Sequence, residues 1–217
     1  MKQLNGVFVA VVLDNADPEG LGRVKVGLPS LGTLSGHPSE TWARMATLMA
    51  GKDQGSWFIP DVGVEVLVAF EAGNLGRPFV IGSLWNTNSP PPQSMDTSNN
   101  KKVLQSRNGV KITLDDNSGQ ERFVVETPAG QHIILSDGPG SIAIEVGKDA
   151  TIKLDHNGIS IVASTNVSVS ASQVSISTGM LTVNAGMSRF SGVVHADTVI
   201  ANSVVSASYT PGAGNVW

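Results

Sequence analysis

The sequence contains no cysteine, which excludes a disulfide framework, a thiol nucleophile and a thiolate metal site together. Charge is sparse: only 15% of the 217 residues are Asp, Glu, Lys or Arg, and the net charge is −4. A mildly acidic chain without a Lys/Arg cluster lacks the electrostatic footprint of a nucleic-acid binder. No apolar run approaches the roughly 18–20 residues of a membrane-spanning helix. The apolar stretch 6–13 (GVFVAVVL) follows a single Lys2, has no small-x-small cleavage site and runs into the acidic turn 14–19. It reads as a buried strand rather than a signal peptide. The expectation is assembly in the cytoplasm, with any later export as part of something larger.

What the sequence does contain is a ladder of short apolar pairs between residues 141 and 186: Ile142/Ile144, Ile152/Leu154, Ile159/Ile161, Val167/Val169, Val174/Ile176 and Leu181/Val183. Members of a pair are two apart, so on a strand both point to one face. Turn-forming pieces separate them, such as Gly147-Lys148-Asp149 and Asp155-His156-Asn157-Gly158. From Ile144 the steps are eight, seven, eight, seven and seven residues, a repeat architecture. Two buried side chains contribute roughly 1.5–3 kcal/mol each. Fixing backbone costs roughly 1–2 kcal/mol per residue, so one repeat cannot stand alone. Either one chain coils on itself as a β-helix, or three identical chains wind into a triangular β-prism. The six repeats make only about two coils of a solitary helix, fewer than such folds need. The trimer is favoured, and the twelve paired residues are then its core.

The first half predicts a small barrel, with strands at 7–13, 23–28, 42–49, 56–59, 64–70 and 78–85. Pro18, Gly20 and Gly22 suit a tight turn between the first two. Five or six strands in about 80 residues point to a closed OB-fold. Residues 86–100, centred on Pro90-Pro91-Pro92, read as a stiff spacer. The expected organisation is all-β: an OB-fold collar at 1–86, a linker at 87–103, a β-prism or β-helix needle at 104–186, and a tip and tail at 187–217. The early needle strands look longer, suggesting a prism that narrows.

Three barrel segments taken together, DNADPEGLGRVKV at 14–26, TWARMATLMAG with PDVGVEVLVAFE at 41–51 and 60–71, and GRPFVIGSLWN at 76–86, resemble the central spikes of contractile injection systems. These are the VgrG proteins of type VI secretion and the baseplate assembly protein V of contractile phages. Residues 107–115 and 126–137 are similar to that family's neck. The resemblance implies a non-enzymatic homotrimer, without cofactor, whose needle pierces the target envelope and carries a tip or effector. It implies contacts with inner tube and baseplate proteins and transient contact with a target membrane. This chain departs from full-length VgrG in lacking the large N-terminal hub domain, so a separate hub protein is expected above the barrel. The linker leaves no room for a lysozyme domain. The His-x-His of some spike tips is absent, since Val194 and Ala196 flank His195, so a separate PAAR-type cap is expected.

Single residues admit other readings. Trp42, Trp57, Phe58, Phe70, Phe79 and Trp85 resemble a base-stacking platform, but packing in the core or trimer explains them better. Asp115, Asp116, Glu126, Asp137, Glu145, Asp149 and Asp155 fall in turns or singly on strands, not as the paired carboxylates of a glycosidase. His132, His156 and His195 are candidates for an axial ion, His195 foremost because it lies near the narrow end. Tyr209, Val216 and Trp217, in a Pro/Gly-rich tail, are candidates for docking a cap. The alternative function is a trimeric tail fibre or tailspike with receptor-binding or glycan-degrading activity.

Overall fold

Alternation of inward and outward side chains sets the first architecture. In the computed structural model, which describes residues 5–34 and 37–208, five strands close into a barrel. They are β1 (Val7–Asp14), β2 (Val24–Gly27), β3 (Glu40–Met45), β4 (Glu65–Phe70) and β5 (Pro78–Ser83). Their order around the barrel is β1-β2-β3-β5-β4. Every pairing is antiparallel except β3 with β5, and this is the OB-fold arrangement expected from the sequence. Every second residue points inward, so Ala10, Val12, Val24, Val26, Ala43, Val66, Val68 and Val80 are fully buried. The residues are small because a five-stranded barrel has a narrow interior. Phe70 closes one end, with Phe8 edge-on to it at 5.4 Å. Register shifts at Val12/Asp14 and Leu67/Val68 supply the local bends that let short strands curl shut.

The turn between β1 and β2 is built on Asp17. Its carboxylate accepts the backbone N–H groups of Glu19, Leu21 and Arg23 and the guanidinium of Arg23 at 2.8 Å. Gly22, at φ 71°, has the left-handed backbone that the chain needs to enter β2. One expected strand is not there. Residues 56–59 form no strand, with only Ser56 tied back, its N–H to the Met49 carbonyl and its carbonyl to the Thr47 hydroxyl; instead Ala50–Gly51 and Gln54–Gly55 form a two-residue ribbon. The β3–β5 pairing already closes the barrel, so no edge is left to take a sixth strand.

The second architecture is an antiparallel meander in which each strand pairs with the next: β6 (Lys101–Gln105), β7 (Lys111–Asp115), β8 (Arg122–Glu126), β9 (Gln131–Ser136), β10 (Ser141–Val146), β11 (Ala150–Asp155) and β12 (Gly158–Ala163). β6 begins inside the stretch expected as linker. The strands do not shorten along the chain: the first three have five residues and the last four have six. The narrowing expected from the sequence is therefore not found in this sheet.

The chain divides into two units, Met1–Val167 and Ser168–Trp217. The described residues of the second unit form no strand, and all are exposed. Val169, Val174, Ile176, Leu181 and Val183 lie there with 60–74% of their surface open. The described residues of this stretch pair with no strand of the same copy.

Candidate functional site

Cross-strand register gives the meander two unlike faces. Paired residues of an antiparallel sheet project to the same side, so the pairings can be followed across the whole sheet. One row runs Leu114, Phe123, Leu135, Ile142, Leu154, Ile159. The next runs Leu104, Ile112, Val125, Ile133, Ile144, Ile152, Ile161. Both rows lie on one face, and apart from Lys102, which pairs with Leu114 at the outer end of the first row, neither contains a polar side chain. They are also open: Leu154 is 38% exposed, Ile144 45% and Ile159 72%. A contiguous apolar face of this extent is unusual on a single soluble chain and marks an interaction surface.

The other face carries most of the charge. Lys111, Glu126, His132 and Glu145 succeed one another across four strands. Lys111 Nζ lies 3.2 Å from Glu126 Oε1, and His132 Nδ1 lies 3.8 Å from Glu126 Oε2. His132 thus lies on the charged face beside Glu126 and Glu145, not among the apolar rows. His156 is exposed in the turn before β12, and His195 is exposed in the second unit. Among the described residues no three His, Asp or Glu side chains gather closely enough to hold a metal.

The acidic residues mostly serve turns. Asp115 and Asp155 accept the backbone N–H groups of Asn117 and Asn157. A hydrogen bond from Lys153 and the Asn157 N–H hold the Asp155 carboxyl below the usual carboxylate range. Asp17 in the barrel is held well below it, first by the Arg23 guanidinium and further by three backbone N–H donors.

Of the twelve ladder residues, the structure brings together Ile142, Ile144, Ile152, Leu154, Ile159 and Ile161 on the apolar face. Val167, Val169, Val174, Ile176, Leu181 and Val183 lie outside any strand. The same face gains Leu104, Ile112, Leu114, Phe123, Val125, Ile133 and Leu135, which the sequence reading did not include. Their i, i+2 spacing carried the signal, but irregular loop lengths kept them out of the repeat. Tyr209, Val216 and Trp217 lie outside the described residues.

The barrel has its own surface features. Of its aromatics, Phe70 is in the core, Trp42 and Phe79 are half-buried, and Trp57, Phe58 and Trp85 are 75%, 64% and 72% exposed. Arg23 sits over Trp42 and Arg44 over Phe79, at 5.7 and 5.3 Å. Arg23 is also paired with Asp17 and Glu19, so its charge is locally balanced.

Two family descriptions match the chain. "Type VI secretion system/phage-baseplate injector OB domain" covers residues 8–85, the barrel, and "Phage baseplate V C-terminal trimerisation domain" covers residues 122–182. Among curated relatives, type VI secretion system spike protein VgrG1b of Pseudomonas aeruginosa is 30% identical over 52% of this chain and 16% of its own length. Spike protein VgrG3 of Vibrio cholerae is 29% identical over 57% of this chain and 13% of its own. A V. cholerae protein named actin cross-linking toxin VgrG1 is 28% identical over 56% of this chain and 12% of its own. The chain therefore corresponds to less than a fifth of each of these relatives.

Proposed function

This chain belongs to the phage baseplate V family of injection-system spikes, and from that membership we propose that it works as a homotrimeric, non-enzymatic central spike of a contractile injection machine. The observation that carries the proposal is the apolar face of the meander. Most of it lies within residues 122–182, the span of the trimerisation-domain match, and it is half open in one copy.

Complete burial of a Val, Leu, Ile or Phe side chain contributes roughly 1.5–3 kcal/mol. With 38–51% of the side chains of most of these residues still open, joining three copies face to face adds on the order of 1 kcal/mol per residue. Over about a dozen residues that is roughly 10 kcal/mol per chain, an upper figure because unfolded chains already bury some surface. The gain is large enough to set the oligomeric state.

The repeats from Val167 to Val183 extend the same logic. Their apolar pairs need neighbours, and neighbouring copies would supply both burial and ladder hydrogen bonds as an intertwined β-prism. Such a needle unfolds slowly, and force transmission needs slow unfolding rather than a pocket. In this reading the spike is assembled in the cytoplasm with baseplate and tube proteins and driven outward on contraction through a target envelope. A cap docks on Tyr209, Val216 and Trp217. A glycan-degrading fibre is the weaker reading: Asp115 and Asp155 line one open depression with Asp116, Glu121 and Asp137, but each accepts the backbone N–H of its own turn.

The test is solution mass by light scattering, with sedimentation velocity for shape. An elongated particle of three chains supports the spike. A compact single chain refutes it.

A further inference from the structure

We propose that the barrels themselves form a closed ring, the outer surface of β1 in one copy seating on the aromatic cleft of the next. The inference rests on the homotrimer reading above and goes beyond the meander, which alone accounts for trimerisation.

The first observation is that β1 is apolar on both sides. Ala10 and Val12 fill the barrel, while Val7, Val9 and Leu13 point outward and are 56%, 46% and 41% exposed. Cross-strand pairing sets Val7 beside Ala69 and Val9 beside Leu67 of β4, so the outward residues form one patch. A strand that is apolar throughout is the pattern of one covered on both faces. One copy covers only the inner face.

The second observation is a separate patch on the far side of the barrel. The segment between β3 and β4 forms a cleft with β3 and β5, lined by Trp42, Arg44, Phe79 and Ile81. Its apolar side chains Leu48, Met49, Trp57 and Phe58 are 96%, 53%, 75% and 64% exposed. Trp57 is braced from below, since a Cβ added at Gly22 would come within 3.0 Å of its ring. β1 pairs only with β2 and β4, so the two patches do not share a strand.

Symmetry connects them. A two-fold contact uses the same patch on both copies, whereas a three-fold ring needs two different patches on each. The barrel carries two. The trimerisation domain follows in the same chain, so assembly holds three barrels at high effective concentration and a weak barrel–barrel contact suffices. A second copy of this chain is thus the occupant of each patch.

The absence of cysteine makes the test clean. In the full-length chain, Val9→Cys and Leu48→Cys are introduced singly and together, treated with a short bis-maleimide and run on a denaturing gel, with mass measured in parallel by light scattering. The ring predicts covalent dimers and trimers from the double variant alone and monomers from each single variant. A double variant that is trimeric by mass yet stays unlinked overturns the ring while leaving the spike reading intact, and assigns the cleft to a different protein. A dimer from a single variant also overturns it, because like patches would then meet. A monomeric mass overturns both readings. Val9→Cys with Met49→Cys is a second pair. Adding Leu48→Glu, at a side chain outside the barrel core, is expected to reduce that link at least tenfold.

Discussion

Ile144 offers the sharpest quantitative test of the apolar face. It sits mid-row, between Ile133 and Ile152, and 45% of it remains open in a single chain. Closing that fraction contributes about 0.7–1.4 kcal/mol per copy. Three copies lose it together in Ile144→Ala, so association weakens by about 2–4 kcal/mol from transfer alone. At a factor of ten per 1.4 kcal/mol, dissociation rises roughly 30- to 700-fold. A void at the three-fold contact adds to this. Ile144→Asp would place three carboxylates in an apolar interior and is expected to abolish the trimer. The neighbouring Glu145 lies on the opposite, charged face, so Glu145→Gln is the matched control and leaves association unchanged. Sedimentation equilibrium over a concentration series reads all three. A trimer that survives Ile144→Asp, or one that Glu145→Gln dissociates equally well, refutes the assignment of the faces.

Three further predictions concern the barrel. Asp17→Asn removes the anchor of the β1–β2 turn and lowers the melting temperature at neutral pH. Because the folded carboxyl titrates below its ordinary value of 3.8, its stabilisation is present above that pH and is lost as pH falls toward the folded value. The gap between wild type and variant therefore narrows on acidification, and thermal melts across a pH series below 5 should show it. Gly22→Ala forces an L-residue into positive φ and toward Trp57, costing roughly 1–2 kcal/mol, with a change in tryptophan emission at unaltered trimer mass. Phe70→Ala empties the largest core side chain of the barrel for roughly 3–5 kcal/mol. Calorimetry should show the barrel transition moving down while needle unfolding stays in place.

Much of this fold was legible because alternation is a direct physical signal. Val66, Val68 and Phe70 alternate with outward residues, and so do Ile142 and Ile144, and both segments became strands with those residues on one face. What escaped has identifiable causes. Lys101 and Lys102 of β6 fall in the stretch expected as linker, yet lysine is what a sheet edge carries to discourage pairing with other chains. Residues 56–59 read as strand because Trp57 and Phe58 are apolar, but apolarity reports burial without saying whether the partner is the same chain. His132 was placed by residue type alone, and only register showed that it faces Glu126 and Glu145.

The two halves of the chain thus answer the same requirement differently. The barrel satisfies its hydrogen bonds and its core within one copy: eight side chains reach full burial there, and the sheet closes without an edge. The meander satisfies its hydrogen bonds except along the outer edges of β6 and β12, and it leaves one whole face uncovered. The repeats after Val167 satisfy neither within one copy. Along the sequence, self-sufficiency falls and dependence on other copies rises. A trimer organised this way would gain little at the barrel and most toward the needle, so rising denaturant should separate the barrels first while the needle holds. Paired spin labels offer a direct reading: labels on Leu48 should lengthen their mutual distances at denaturant concentrations where labels on Ile176 remain fixed. Simultaneous loss of both signals would refute this gradient.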